Sequence, residues 1–539
     1  MPDFVFPDLP LDGLLRRAAL RDPDGIAVRT ADTALAFGEL DALTDRVAAW
    51  LRRQNGGRSG VRTGVAHVLD PVFVATYYGT VRSGATAVLV NPLMGEHGLR
   101  HVFATAGVEV AFVPAAIAEL LTKLRDELPR LRTIVVTDAP DGVTPGDTVS
   151  LHTELESAPH ARGHAPYEPG SIACVQFTTG TTGRPKGVLL THRNLVANAK
   201  QTALAHGLDP ASVTLNHLPL YHVMHLNSAM YAGSCQVLCQ DPDPFASLAA
   251  AAAADATHYY GLPARLHRLA TDERLAAVVG PPPGGARLTA VLSGGSGLRP
   301  QAARALRDRL GIPVIQGYGM AELSPLTHCQ RPGRYRTGEV GGTVPGTECR
   351  LVDVDSRTPV EVWSTGEVQV RGPQLMAGYL DDAQPSRIDE DGWFSTGDVG
   401  YLDDDGELRL VDRLDDIFKY DNEIVSPSQV ERVIGEDPRV ADCIVADWPD
   451  DVHGGLVWAG IVLREDSGNA YAGSAPGHEG SGRTPASDVL ASVTARANER
   501  LADFERIRLT EVLEAVPRTP TGKPERRALR QRLKTRAAA

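Results

Sequence analysis

The chain has 539 residues, 42% hydrophobic and 22% charged, the balance of a globular protein large enough for two or more domains. A net charge of −13 argues against broad nucleic-acid binding and leaves room only for a local basic patch. No run of about 18 apolar residues exists to span a membrane, and residues 1–15 lack the basic and apolar regions of a secretory signal, so no signal peptide is expected.

Residues 10–60 read as helices around a strand, with Leu40, Leu43, Val47 and Leu51 at helical spacing. Residues 72–81 predict a helix, and Ala87 to Val90 a buried strand ending at Asn91-Pro92. Apolar runs follow at 108–113, 133–136 and 172–175. Strands alternating with helices over this length predict layered α/β sheets with parallel pairing, and no fixed-period repeat is present.

The run 172–175 feeds Phe177-Thr178-Thr179-Gly180-Thr181-Thr182-Gly183-Arg184-Pro185-Lys186-Gly187-Val188. Glycines 180, 183 and 187 allow sharp turns and a close backbone approach. The hydroxyls of Thr178, Thr179, Thr181 and Thr182, backbone N–H groups and the Lys186 ammonium together suit a polyphosphate. The loop is not a Walker A motif, because Lys186 lies between Pro185 and Gly187.

Beyond the loop, residues 193–204 predict a helix, and Leu218-Pro219-Leu220-Tyr221-His222 a turn-like break. A strand at 237–239 and an alanine-rich helix come next. Residues 289–292 lead into Ser293-Gly294-Gly295-Ser296-Gly297, and 313–315 into Gln316-Gly317-Tyr318-Gly319-Met320-Ala321-Glu322. Each is read as a strand feeding a glycine-rich turn. Ligands of open α/β sheets bind beyond the carboxyl ends of strands, so these turns are expected to converge on one crevice. From about 340 the pattern becomes short β segments (348–354, 366–370, 407–411), with Thr396-Gly397-Asp398 in a turn and Arg413-Leu414-Asp415-Asp416 a candidate hinge. An α+β tail follows. Residues 466–487 are expected to be a disordered insertion, and 523–536 a basic, solvated terminal helix. The six cysteines form no CxxC pair; Cys235 and Cys239 have a spacing that a helix would place on one face, but no His or Cys cluster completes a zinc site, and a reducing cytoplasm is expected.

From about Phe37 to Leu529 the chain resembles the acyl-CoA synthetase, luciferase and peptide-synthetase adenylation-domain superfamily. The threonine/glycine loop, Pro219 to His222, Gly317 to Glu322, Ser395 to Asp398, Arg413 to Asp416 and Pro520-Thr521-Gly522-Lys523 match its motifs in order. The resemblance implies a large N-terminal domain of layered α/β sheets, residues 1–413, with a β-rich subdomain at about 340–413. It also implies a hinge at 414–416 and a small mobile α+β domain at 417–539. The family reaction joins ATP and a carboxylic acid into an acyl-adenylate with release of pyrophosphate, and a thiol such as CoA commonly takes the acyl group. A carboxylate is a poor electrophile; attaching AMP removes its charge and supplies a leaving group, so positive electrostatics at the α-phosphate should dominate.

By this resemblance the 178–187 loop holds the ATP phosphates and Glu322 binds Mg²⁺ through a hard carboxylate oxygen. Asp398 and Arg413 reach the ribose. Gly295, Ser296 and Gly297 pack along the adenine, near the Gly317-Tyr318-Gly319 run. Lys523 bridges carboxylate and α-phosphate. Asp415 is the hinge. His222, Asn227 and Gly319 belong to the acid pocket, to which Met224, His225, Ser228 and the residues near Tyr259 and Tyr260 also contribute. The sequence does not separate aromatic, fatty and polycyclic acids.

Four positions depart from the family pattern: Ala321 stands where threonine is usual, Thr179 where serine is, and Asp412 and Asn422 where glycines are. The glycine replaced by Asn422 lines the thiol tunnel, which puts the CoA step in question. The leading expectation is a CoA ligase. The alternatives are an enzyme that only adenylates, handing acyl-AMP to a carrier protein, a downstream acyl-transferring enzyme, an amine or an inorganic nucleophile, and a non-catalytic nucleotide-binding homologue.

Overall fold

The structure is a computed structural model that describes all residues except 1–3, 68, 141, 157–162, 164, 179–184, 219, 278–286, 382–385, 422, 465–484, 519–523 and 538–539. It divides into two compact units. The first comprises residues 1–349, 370–394 and 406–408, the second 350–369, 395–405 and 409–539.

Two large sheets build the first unit. In one, Cys235–Leu238, Val213–Asn216, His258–Gly261, Ala290–Ser293 and Val314–Gly319 pair in parallel in that order. Leu326–Cys329 then adds antiparallel. In the other, Ile172–Thr178, Thr86–Leu89, Arg62–Val65, Val110–Val113 and Thr133–Val136 run parallel. Lys186–Thr191 returns antiparallel against Ile172–Thr178. The parallel strands are apolar on both faces because helices cover them, and Ala87, Val88, Val110, Ala111, Val135 and Val136 are buried.

The helix His192–His206 starts where a capping box forms: Thr191 Oγ1 accepts from the Asn194 N–H at 3.1 Å, and Asn194 Oδ1 accepts from the Thr191 N–H at 2.9 Å. Gly207, at φ 68, ends it in the left-handed conformation. The N-terminal helices are tied by Arg82, whose buried guanidinium meets Asp12, Asp41 and Asp45 at 2.8, 2.7 and 2.9 Å. Residues 10–60 contain two strands, Ile26–Arg29 and Ala34–Ala36, where one was expected.

The second unit carries most of the four-stranded sheet Glu348–Val352, Gly366–Arg371, Phe394–Leu402 and Leu408–Arg413. It also holds a five-stranded sheet whose long hairpin, Val440–Asp450 with Gly454–Leu463, is covered by helices. The basic C-terminal segment forms the helix Arg526–Ala537. It is not merely solvated: Leu529 and Leu533 are buried against Ile444, Ala446 and Trp458.

Four further expectations are corrected. Gly317-Tyr318-Gly319 continues the strand Val314–Gly319 instead of turning. The glycines are there for space: a Cβ on Gly319 would lie 1.8 Å from the Pro325 carbonyl oxygen, and one on Gly317 2.9 Å from Leu326. Thr396-Gly397-Asp398 lies inside the strand Phe394–Leu402, with only Gly397 adopting a positive φ of 75. Cys235 opens a strand and Cys239 follows it, so they share no helix face; all six cysteines are free thiols. The expected insertion reaches too far at its C-terminal end, because a helix begins at Pro485; residues 466–484 of it lie outside the described residues.

Candidate active site

In the first unit the site grows from the ends of adjacent strands. Thr178 ends the strand Ile172–Thr178 and pairs with Lys186, which opens the return strand. The two residues therefore face each other across the mouth of the threonine/glycine loop. Thr179, Gly180, Thr181 and Thr182 lie outside the described residues. The Lys186 ammonium sits 5.5 Å from the centroid of the Tyr379 ring. The Tyr379 hydroxyl donates to Glu322 Oε1 at 3.0 Å. A cation, an aromatic ring and a carboxylate are thus linked beside the loop. Burial and the Glu322 charge raise the Tyr379 pKa, so its hydroxyl keeps its proton and remains a donor.

Glu322 lies in a short 3-10 turn, Ala321–Leu323, directly after the strand Val314–Gly319. Its carbonyl accepts from the Met376 N–H at 2.8 Å, and Ser324 Oγ donates to the Gln374 carbonyl at 2.8 Å. No group of three or more carboxylate, histidine or cysteine side chains gathers as a closed metal cage among the described residues. One half-buried carboxylate suits Mg²⁺, which keeps waters and binds through one or two carboxylates plus substrate phosphates.

The neighbouring strand Ala290–Ser293 leads into Gly295, at φ 85, and exposed Ser296 and Gly297. The Leu298 N–H donates to Gln316 Oε1 at 2.8 Å, fixing this turn to the strand that carries buried Tyr318. Gly317 and Gly319 flank Tyr318, and their lack of side chains lets Leu326–Cys329 pair closely.

His222 is exposed and lies 3.1 Å from Gln176 through Nδ1. With the Gln176 amide as donor, Nδ1 accepts and Nε2 carries the proton. Asn227 faces the helix Pro71–Arg82: its Oδ1 accepts from Tyr78 at 2.8 Å and its amide donates to Tyr77 at 3.4 Å. The structure thus puts Asn227 in a buried helix–helix contact.

The second unit brings Asp398 and Arg413 together, Nε to Oδ1, at 3.3 Å. The Gly397 N–H donates to Glu367 Oε1 at 3.0 Å, and the Gly397 carbonyl accepts from the Leu414 N–H at 2.8 Å. The Asp415 carbonyl accepts from Arg530 at 2.5 Å, while Arg526 pairs with Asp416 at 3.6 Å and Glu431 at 2.5 Å. Burial pushes Glu431 up to about 7, against the pull of Arg526. Asp412, the departure beside Arg413, accepts from Ser426 Oγ at 3.0 Å and the Ser428 N–H at 2.8 Å, which anchors the start of the helix Pro427–Ile434. Lys523 and Asn422 lie outside the described residues. Their flanks are defined: Pro524 bridges to Arg518, and Tyr420 pairs with Glu423 around Asp421, at φ 48.

Sequence reasoning missed Tyr379, Gln176, Arg526 and Arg530. Tyr379 lies in no matched motif, and its partner Glu322 is 57 positions away. The two arginines stand one helical turn apart in the basic tail, a spacing that was legible as a single face.

The model of the AMP-binding enzyme family matches residues 15–380. The chain is 29% identical over 515 residues to 4-coumarate–CoA ligase 3 of Oryza sativa subsp. japonica, covering 92% of this chain and 87% of that protein. It is 28% identical over 559 residues to a long-chain-fatty-acid–CoA ligase of Bacillus subtilis (strain 168), covering 98% and 95%. Its fold superposes with a TM-score of 0.84 on the anthranilate CoA ligase AuaEII in complex with anthranoyl-AMP, at 24% identity and 98% coverage of both chains. ATP-bound MatB from Rhodopseudomonas palustris also superposes at 0.84, with 23% identity and coverage of 98% and 100%.

Proposed function

The chain belongs to the AMP-binding enzyme family, and from that premise we propose that it activates a carboxylic acid with ATP and transfers the acyl group to CoA. In the first half-reaction a carboxylate oxygen attacks the α-phosphorus and pyrophosphate leaves. In the second, the CoA thiolate attacks the acyl carbon and AMP leaves. The observation that carries this reading is the Lys186–Tyr379–Glu322 linkage, which brings a cation suited to phosphate and a carboxylate suited to Mg²⁺ together through one tyrosine. The CoA ligases among its relatives support the acceptor.

Each residue's part follows from its chemistry. Thr178, Thr179, Gly180, Thr181, Thr182 and Lys186 hold the β- and γ-phosphates. Glu322 holds Mg²⁺, which when bound neutralises phosphate charge. Asp398 and Arg413 hold the ribose, and the turn at Gly295, Ser296 and Gly297 lines the adenine. Lys523 neutralises charge between the carboxylate and the α-phosphate. Asp415 is the hinge about which residues 417–539 reorient between the half-reactions. No helix among the described residues is long and apolar enough to cross a membrane. We assign the reaction to the cytoplasm, where ATP, CoA and free thiols coexist.

Asn422 in place of a glycine favours a second reading, in which adenylate forms and a partner enzyme, an amine or an inorganic nucleophile takes the acyl group. One experiment tests both. The purified chain is given ATP, Mg²⁺, CoA and a panel of acids, and pyrophosphate, acyl-AMP and acyl-CoA are measured separately. Pyrophosphate and acyl-CoA should appear together with an accepted acid, and Lys523→Ala should abolish both. Accumulation of acyl-AMP alone selects the second reading. No pyrophosphate with any acid refutes acid activation.

A further inference from the structure

The strand Leu408–Arg413 ends where the hinge 414–416 begins, and two helices downstream of the hinge, Pro427–Ile434 and Arg526–Ala537, reach back to it. A ring of contacts closes across these residues. Asp412 Oδ2 accepts from the Ser428 N–H at 2.8 Å and from Ser426 Oγ at 3.0 Å. Ser428 Oγ accepts from Arg526 Nη2 at 3.3 Å. Arg526 Nη1 lies 3.6 Å from Asp416 Oδ2, and the Asp416 N–H donates to the Arg413 carbonyl at 2.9 Å. The contacts thus return to the residue beside Asp412, with the hinge inside the ring.

Asp412 is the side chain that enters this ring from upstream of the hinge. Its other oxygen, Oδ1, accepts from the Arg413 N–H at 2.9 Å. The two carboxylate oxygens are therefore engaged on opposite sides of the hinge in sequence. Hydrogen bonds to a carboxylate are stronger than those between neutral groups. A glycine, the residue usual at this position in the family, has no side-chain acceptor to make any of them.

Arg526 anchors the far side of the ring. Its side chain is 9% exposed, and Glu431 Oε2 meets it at 2.5 Å. Burial raises Asp416, and raises Glu431 to about 7, while Arg526 pulls both back down. Separating one partner of such a cluster leaves a buried charge uncompensated, so the guanidinium and its carboxylates stay together. Arg530 holds the same stretch by its backbone: it donates to the Asp415 carbonyl at 2.5 Å and pairs with Asp447.

We propose that Asp412 is a positioning residue that staples the hinge in this arrangement, so that residues 417–539 reorient only when its bonds to Ser426 and Ser428 break. The proposal rests on the hinge reading given above. It makes the passage between the half-reactions slower in this chain than it would be with glycine at 412.

Hydrogen–deuterium exchange on the full chain reads the staple without turnover. In Asp412→Ala, and in Asp412→Gly, peptides covering 413–418 and 426–431 should both exchange about tenfold faster, while the strand Val440–Asp450 exchanges as in the wild type. Asp412→Asn keeps an oxygen that accepts both bonds and should restore most of the protection. Faster exchange confined to 426–431 shows a helix cap only and overturns the staple, as does unchanged exchange in both segments. A single turnover with an accepted acid, ATP, Mg²⁺ and CoA tests the consequence. The interval between pyrophosphate release and acyl-CoA should shorten about tenfold in Asp412→Ala and stay near the wild-type value in Asp412→Asn. Equal intervals in Asp412→Ala and the wild type overturn the staple. Where no acid releases pyrophosphate, or acyl-AMP forms without acyl-CoA, it is the activation reading or the CoA reading that fails, and the exchange pattern alone upholds or overturns the staple.

Discussion

Tyr379 donates its hydroxyl to Glu322 Oε1 across 3.0 Å, and the Lys186 ammonium lies 5.5 Å from the same ring. The tyrosine fixes the direction of one carboxylate oxygen, and the proposed Mg²⁺ would take the other. Glu322→Gln should raise the Mg²⁺ concentration for half-maximal pyrophosphate release, because a neutral amide oxygen binds a hard cation weakly. Tyr379→Phe should raise it by about tenfold, the low end for loss of a residue that orients a metal ligand. Unchanged Mg²⁺ titrations in both variants would remove Glu322 from the metal site.

Asp398 and Arg413, 3.3 Å apart, arrive from two strands that their own unit holds in place. If both contact the ribose, Asp398→Ala should raise KM for ATP by roughly ten- to a hundredfold, the range for a hydrogen bond involving a charged group. The double variant Asp398→Ala/Arg413→Ala should lose less than the product of the single losses, because the residues are in contact. Fully independent losses would mean that the pair does not act on one ligand.

His192 accepts a hydrogen bond from the Leu11 N–H at 3.0 Å through Nδ1, a contact that requires the neutral ring. Burial pushes its pKa down to about 4, against the opposing influence of Asp12. Between pH 6.5 and about 4 the unfolded chain therefore binds the proton that the folded chain refuses. Stability from this group should be complete above pH 6.5 and fall as the pH is lowered, by roughly 3 kcal/mol near pH 4. Urea unfolding midpoints from pH 7.5 to 4.5 should show a shallower pH slope in His192→Gln than in the wild type. Parallel slopes would contradict the assignment. His217 and His225, at about 3, continue the same trend to lower pH.

The strands most legible in the sequence are those buried on both faces. Residues 133–136 were read from a threonine and three apolar β-branched residues, and the strand Thr133–Val136 has the same limits. Glycine was the ambiguous signal. Gly317 and Gly319 carry the same local marks as a turn, but the reason for them is the neighbouring chain at Pro325 and Leu326, which no short window reveals. Gly397 misled in the same direction for a different reason: its φ is positive, yet the flanking residues stay in the strand Phe394–Leu402. Glu322 and Asp398 were recognisable because their motifs are local. Their partners depend on tertiary contact, and Tyr379 offered no pattern of its own. Arg413 became a candidate only because it has a motif too, and the structure pairs it with Asp398.

Asn422 is the residue on which the acyl acceptor turns. It follows Asp421, at φ 48, between the paired residues Tyr420 and Glu423, a two-residue hairpin link of the kind that favours asparagine and glycine. Asparagine and glycine both suit such links in general, so what separates them is side-chain volume. If pantetheine passes this turn, the asparagine amide occupies space that glycine leaves open, and overpacking costs about 1–3 kcal/mol. A misplacement of about 1 Å at an attacking group can cost a hundredfold in rate. Asn422→Gly should therefore speed conversion of acyl-AMP to acyl-CoA by about tenfold and leave pyrophosphate release in the first half-reaction unchanged. Single-turnover measurements that start from ATP and acid, and separately from a synthetic acyl-adenylate with CoA, isolate the two steps. If the wild type already forms acyl-CoA as fast as the variant, the asparagine does not obstruct the thiol.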